Sequence, residues 1–226
     1  MLLESLSAAS LLLTPVSAGV ARPQWCRPTA AAPVNLSLRY APIKYDYTKS
    51  SNQLAQFDID TVNPYGDHAH TIVGGLTMAQ IRVEHQMHMG GIRYGDQSCM
   101  WIANVQMVIH LEPTVYVANK YKPGTCRFKS ILEHEAKHVK VDQELAQRYE
   151  AVYEKAVVDA INQFRIIGPF HDSQRQMVQD DLAQFIRGVI DNVSKQFNEG
   201  RGKWQQAVDT RQEYDRVAAL CPREPY

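Results

Sequence analysis

Two histidines one helical turn apart, with a glutamate directly after the first, are the residues in this chain best placed to do chemistry. They lie in Ser130-Ile131-Leu132-Glu133-His134-Glu135-Ala136-Lys137-His138-Val139-Lys140-Val141-Asp142. At 100° per residue, His134 and His138 share a helix face, and their imidazoles can converge on one tetrahedral Zn²⁺. Glu135 then points beside the metal, where a general base takes a proton from a zinc-activated water. The motif requires a helix, and the sequence supplies one. No Pro or Gly occurs between Cys126 and Ile167, and Leu145, Tyr149, Val152, Ala156, Ala160 and Phe164 continue an apolar stripe.

A catalytic zinc needs three protein ligands and one open position. Asp142 lies about 12 Å along the axis from His134, too far to be the third. One turn beyond His138, it reads either as an outer acceptor orienting that ring or as a surface charge beside Lys137 and Lys140. The segment Val208-Asp209-Thr210-Arg211-Gln212-Glu213-Tyr214 offers two carboxylates one turn apart. Glu213 is the favoured ligand and Asp209 the second choice, with Tyr214 as a hydrogen-bond donor in the transition state; ordinary surface acids are the competing reading. His68 and His70 form a weaker, rival pair. His85 falls on an apolar strand face, as core histidines do.

The stretch from Glu133 to Asp142 resembles the zincin metallopeptidases, and residues 99 to 221 are more weakly similar to small bacterial secreted proteins described as zinc-dependent proteases. The resemblance implies a peptide or protein substrate. The chain departs from two familiar variants: no glycine and third histidine follow at metzincin spacing, and no Asn-Glu-x-x-x-Asp segment follows as in thermolysin-like enzymes.

The elements that must position these residues divide into two halves. Residues 22–126 read as β-rich, with alternation at Val34 to Tyr40 and over Ile81 to Met89, Gly-rich turns at Gly90-Gly91 and Gly95-Asp96, and apolar runs at Met100 to Leu111 and Thr114 to Asn119. Residues 127–226 read as helical: a first helix to about Phe164, a stop at Gly168-Pro169, a second helix to about Asn198 and a third from about Lys203 to Leu220. The expected class is α+β: an N-terminal antiparallel sheet, then a long metal-site helix, an antiparallel helical hairpin and a C-terminal helix, all in one domain with a helical extension.

Lys+Arg and Asp+Glu are both 24 in 226 residues. That balance gives no basic field for nucleic acid or for an anionic membrane surface. Residues 1–21, with Leu11-Leu12-Leu13 and small-residue exits at Ala18 and Ala21, read as a signal-like leader, although Glu4 stands where a cation is usual. The apolar run is too short to span a bilayer. A leader implies a secreted or periplasmic protein, in which four cysteines favour two disulfides. The preferred pairing is Cys99–Cys126 with Cys26–Cys221; four buried thiols is the alternative. The functional expectation is a zinc-dependent metallopeptidase, against a non-catalytic exported binding or structural domain with structural or no zinc.

Overall fold

The computed structural model describes residues 23–28, 31–58, 62–66 and 72–222; the leader and the His68/His70 pair lie outside them. The elements run β1 (Val34–Tyr40), β2 (Lys44–Asp46), α1 (Ser51–Leu54), β3 (Gly75–Tyr94), β4 (Gln97–Val117), α2 (Cys126–Gln163), β5 (Ile167–His171), a 3₁₀ turn (Asp172–Gln174), α3 (Arg175–Val208) and α4 (Arg211–Ala219). The class is α+β, as expected.

The sheet departs from the antiparallel expectation. β4 is its centre, and β3 pairs antiparallel along its whole length. β1 and β2 pair parallel to β4, and β5 pairs antiparallel near its start. β5, β1 and β2 thus share one edge of β4 end to end. Alternation reports which face of a strand is buried; it carries nothing about the partner or its direction, which is why the parallel pairs were not legible. The two apolar runs before α2 prove to be one 21-residue strand. Pro113 is tolerated within it because Leu111 is the last partner of β1 and Thr114 the first partner of β2. The proline falls in the gap between those two partners.

Likewise β3 does not turn at Gly90-Gly91. It shifts register between His88 and Met89 and continues to Tyr94. A side chain at Gly90 would meet the Trp101 indole nitrogen at 2.4 Å, so glycine there lets Trp101 lie across the strand.

One face of the sheet is solvated and carries Arg82, Glu84, Gln86 and His88. The other face packs Ile81, Val83, Met87, Met107 and Ile109 against Tyr153 and Val157 of α2 and Leu182, Ile186 and Ile190 of α3. His85 sits half-buried among this inner set. α2 and α3 pair as the expected hairpin, with Tyr149 stacked edge-on to Phe197 at 5.1 Å.

The disulfides also correct the expectation: Cys26 bonds Cys99, and Cys126 bonds Cys221. The physical reason is the length of β4. Cys99 lies near its start and Cys126 beyond its end, about 60 Å of extended chain apart. The four thiols are therefore cross-linked, as in proteins of oxidising compartments. Among the described residues, no helix is long and apolar enough to cross a membrane.

Gly200-Arg201-Gly202 does not end a helix as expected. α3 runs through it to Val208 because Phe197 and Gln205 are both buried on either side of it, and packing outweighs the roughly 1 kcal/mol that each glycine costs. The break comes at Asp209-Thr210, where Thr210 caps α4 by accepting from the Glu213 amide. α4 is then fixed to the start of α2 twice. Cys221 is bonded to Cys126, and the buried Arg127 guanidinium donates to the carbonyls of Val217, Ala218 and Cys221. A cation on the last carbonyls of a helix complements its dipole.

Candidate metal centre

α2 is capped by Thr125, whose hydroxyl accepts from the Phe128 amide, and runs unbroken for 38 residues. His134, Glu135, His138 and Asp142 are all buried on it. The two rings stand 4.9 Å apart at their centroids, and their Nε2 atoms are 3.3 Å apart. Oδ1 of Asp209 lies 3.1 Å from each of those nitrogens.

Three ligand atoms at mutual separations of 3.1–3.3 Å fit one metal ion. A tetrahedral centre with bonds of about 2.0–2.1 Å places its ligand atoms about 3.3 Å apart. The donor set fits as well, since two imidazoles and a carboxylate are ordinary ligands of a divalent transition metal. The buried group His134, His138 and Asp209 is thus able to hold a metal ion. Asp209 reaches the site because it is the residue at which α3 stops and the chain turns into α4.

Glu213, the favoured ligand from sequence, is brought to the other side of the first ring. Its Oε1 is 3.3 Å from Nδ1 of His134, not Nε2. Arg216 and Lys137 hold it there, at 2.9 Å and 2.7 Å. The Arg216 hydrogen bond, with help from Lys137 and His134 and against partial burial, draws its carboxyl down to about 2. Glu213 is therefore placed to accept from Nδ1 of His134, the nitrogen turned away from Asp209.

Asp142 also proves to be fully buried, which removes the surface-charge reading. It reaches His138 only indirectly. Gln205 stands between them: its Oε1 is 2.5 Å from Nδ1 of His138, and its Nε2 donates to Oδ1 of Asp142 at 2.7 Å and to the His138 carbonyl at 3.2 Å. Arg201 pairs with both oxygens of Asp142, at 2.7 and 3.1 Å.

Glu135 points beside the two rings. The Thr77 hydroxyl on β3 lies 2.9 Å from Glu135 Oε2 and 3.1 Å from its backbone oxygen. Gly75 makes this approach possible, because a Cβ there would sit 2.6 Å from Glu135 Oε1 and 2.5 Å from an Ile131 methyl. Burial raises the Glu135 carboxyl above its ordinary range, against the pull of His138 and His134. The Tyr214 ring stands edge-on to His134 at 5.5 Å. Burial, reinforced by Asp209 and Glu135, raises its phenol, which therefore stays protonated.

These residues form the floor of a cleft of about 320 Å³ whose wall is Gly74 and the β3 stretch from Gly75 to Ala79. Gln205, Thr77 and Arg201 were not among the residues singled out from sequence. The first and last leave a readable trace: Arg201, Gln205 and Asp209 recur every fourth residue, one stripe on α3. Thr77 leaves none. His88, His110 and His171 lie away from this cluster and are not part of it.

Burial works against a charge on His138, but the hydrogen bond to Asp209, the charges of Glu135 and Asp209, and Gln205 outweigh it and raise the ring to about 9. His134 is raised by the same contest, chiefly through Asp209 and Glu135. Without a cation, the folded cluster thus binds protons more tightly than the unfolded chain. A raised histidine contributes stability that is complete below its unfolded value of 6.5 and is lost as pH climbs through about 9. Chelated protein is therefore expected to lose on the order of 3 kcal/mol between pH 6.5 and 9.5, read by denaturant titration at each pH. Metal affinity should rise over the same interval as the competing proton leaves. A metal-free stability that is flat or increasing across that range would show that the cluster does not hold those protons.

No protein-family model, curated protein or solved structure matches the chain. Its functional reading therefore stands on the chemistry of this site.

Proposed function

We propose that the protein is a zinc-dependent peptidase working in an oxidising compartment outside the cytoplasm, secreted or periplasmic. The observation that carries this reading is a buried carboxylate, Glu135, fixed by Thr77 beside a three-membered ligand group at the floor of a cleft. A structural zinc is enclosed by four protein ligands, whereas three ligands leave one position open. Among the described residues the ligand group has three members, which supports a catalytic site over a structural one.

His134, His138 and Asp209 would hold a zinc ion, which would supply Lewis acidity toward a carbonyl and a water. Every other step falls to side chains of this chain. Glu135, with its proton affinity raised by burial, accepts the water's proton and passes it to the leaving amine. Tyr214 keeps its proton and donates a hydrogen bond to the carbonyl oxygen as negative charge gathers there. Glu213 orients His134, and Lys137 and Arg216 keep Glu213 ionised. β3 is paired by β4 on one side only among the described residues, and its segment Gly75 to Ala79 lines the cleft. An extended peptide can add to that open edge by main-chain hydrogen bonds.

The test is metal content together with hydrolysis. Purified protein is expected to carry one zinc per chain and to cleave unstructured polypeptide; chelation should abolish cleavage and zinc should restore it. Protein without zinc, or cleavage indifferent to chelation, overturns the proposal. A metal tightly bound with no hydrolysis of any peptide would favour the non-catalytic exported domain instead.

A further inference from the structure

We propose that Asp142 and Arg201 are positioning residues for the metal centre: acting through the Gln205 amide, they hold His138 with Nδ1 as a hydrogen-bond donor and Nε2 turned toward Asp209 and the cation. The proposal rests on His134, His138 and Asp209 being the ligand group, and it concerns how one of those ligands is aimed.

The argument starts with the amide. A glutamine side chain has one acceptor end and one donor end, and a 180° flip exchanges them. Here the Gln205 end facing Asp142 lies 2.7 Å from Oδ1 and 3.2 Å from the His138 carbonyl oxygen, and both of those are acceptors. If the amide were flipped, its oxygen would face two acceptor oxygens and its NH₂ would face the imidazole. Two hydrogen bonds would be lost inside a buried site, where each unmade bond costs about 1–3 kcal/mol. Asp142 and the helix backbone therefore dictate that Gln205 presents oxygen to His138. An oxygen 2.5 Å from Nδ1 requires a proton on that nitrogen. Nε2, the nitrogen facing Asp209 and His134, is then the one left to coordinate.

Asp142 can serve this purpose only while it is held still. It is fully buried, and a buried carboxylate needs partners for both of its oxygens. Arg201 supplies the counter-charge in a two-pronged pair. Arg201, Gln205 and Asp209 occupy successive turns at the end of α3, so one helix contributes a ligand, the amide that aims another ligand and the cation that fixes the amide. Elsewhere in the site His134 is oriented directly by Glu213. The two rings are thus held by different devices, a carboxylate on His134 and an amide on His138.

The experiment reads the His138 Nδ1–H proton by NMR, in zinc-loaded and in metal-free protein at neutral pH, and zinc affinity by chelator competition. Wild type is expected to show a downfield, slowly exchanging Nδ1–H in both forms. Gln205→Leu should lose that protection and weaken zinc binding about 10–100-fold, the usual effect of removing an outer partner. Gln205→Glu alone sets two carboxylates 2.7 Å apart and should weaken binding similarly. Combining it with Asp142→Asn sets a donor opposite the new carboxylate, leaving the His138 carbonyl unanswered, and should recover the protected proton and part of the affinity. A side chain serving only as packing would not be rescued by this exchange. An unprotected Nδ1 in wild type, or a double variant no better than Gln205→Glu alone, overturns the proposal. If wild type binds no zinc, the metal reading fails, while the proton signal in metal-free protein still decides whether the relay exists.

Discussion

Glu135→Gln is expected to keep one zinc per chain and to lose about a hundred- to ten-thousandfold in kcat, the range that general acid–base groups contribute. The carboxylate is not in the ligand group, so the ion has no reason to leave. The amide cannot accept the water's proton, yet it is nearly isosteric, and its carbonyl oxygen can still accept the Thr77 hydrogen bond. Thr77 and Gly75 shape a slot for a flat side-chain end of this size, which is why Gln is a cleaner substitution than Ala. The variant should also be at least as stable as wild type before metal is added, because it removes a buried group whose charged form is disfavoured. Zinc content by mass spectrometry and turnover on an unstructured peptide make the measurement. Undiminished turnover in Glu135→Gln would remove this residue from the mechanism.

Asp209→Ala should strip the metal, and Glu213→Gln should not. The two acids lie four residues apart and both touch His134, but at opposite nitrogens. Loss of Asp209 removes one of three ligand atoms and is expected to weaken zinc binding by more than about 100-fold. Loss of the Glu213 charge removes an orienting acceptor, for which about 10–100-fold is usual. The variants should differ in a second respect. Asp209 is the leading partner that raises His138, so in metal-free protein Asp209→Ala should bring that ring down from about 9, whereas Glu213→Gln should leave it there. Lys137 and Arg216 would meanwhile lose the charge of their common partner in Glu213→Gln, at a part-buried contact. Isothermal titration of the chelated variants with zinc separates the cases. Retention of tight binding in Asp209→Ala together with its loss in Glu213→Gln would make Glu213 the ligand.

Between them these residues show how far one dimension of information reaches. His134, Glu135 and His138 were legible because their geometry is set inside a single helix, where a spacing of four fixes a direction in space. The α+β class, the long α2 and its hairpin with α3 were legible for the same local reason: apolar residues repeat at the period of the element that buries them. Asp209 and Tyr214 were visible only as a short segment of suitable chemistry. The choice between Asp209 and Glu213 turned on where α3 ends, and that depended on Phe197 and Gln205 being packed tightly enough to carry the helix through two glycines. The direction of β1 and β2, the long reach of β4 and the disulfide pairs depended on chain segments dozens of residues apart. No local pattern encodes such pairings, since a strand's alternation is unchanged by the partner it meets.

By itself, then, the sequence determined the two imidazoles, the adjacent carboxylate and the helix that aligns them, because those relations are intrahelical. Only the tertiary structure decided that Asp209 closes the ligand group, that Glu213 stands behind His134, and that Gln205 intervenes between Asp142 and His138. Those three contacts span 63 to 79 residues of chain: the packing of α3 on α2 brings Gln205 and Asp209 to the rings, and Cys126–Cys221 and Arg127 bring α4, with Glu213, back onto the start of α2.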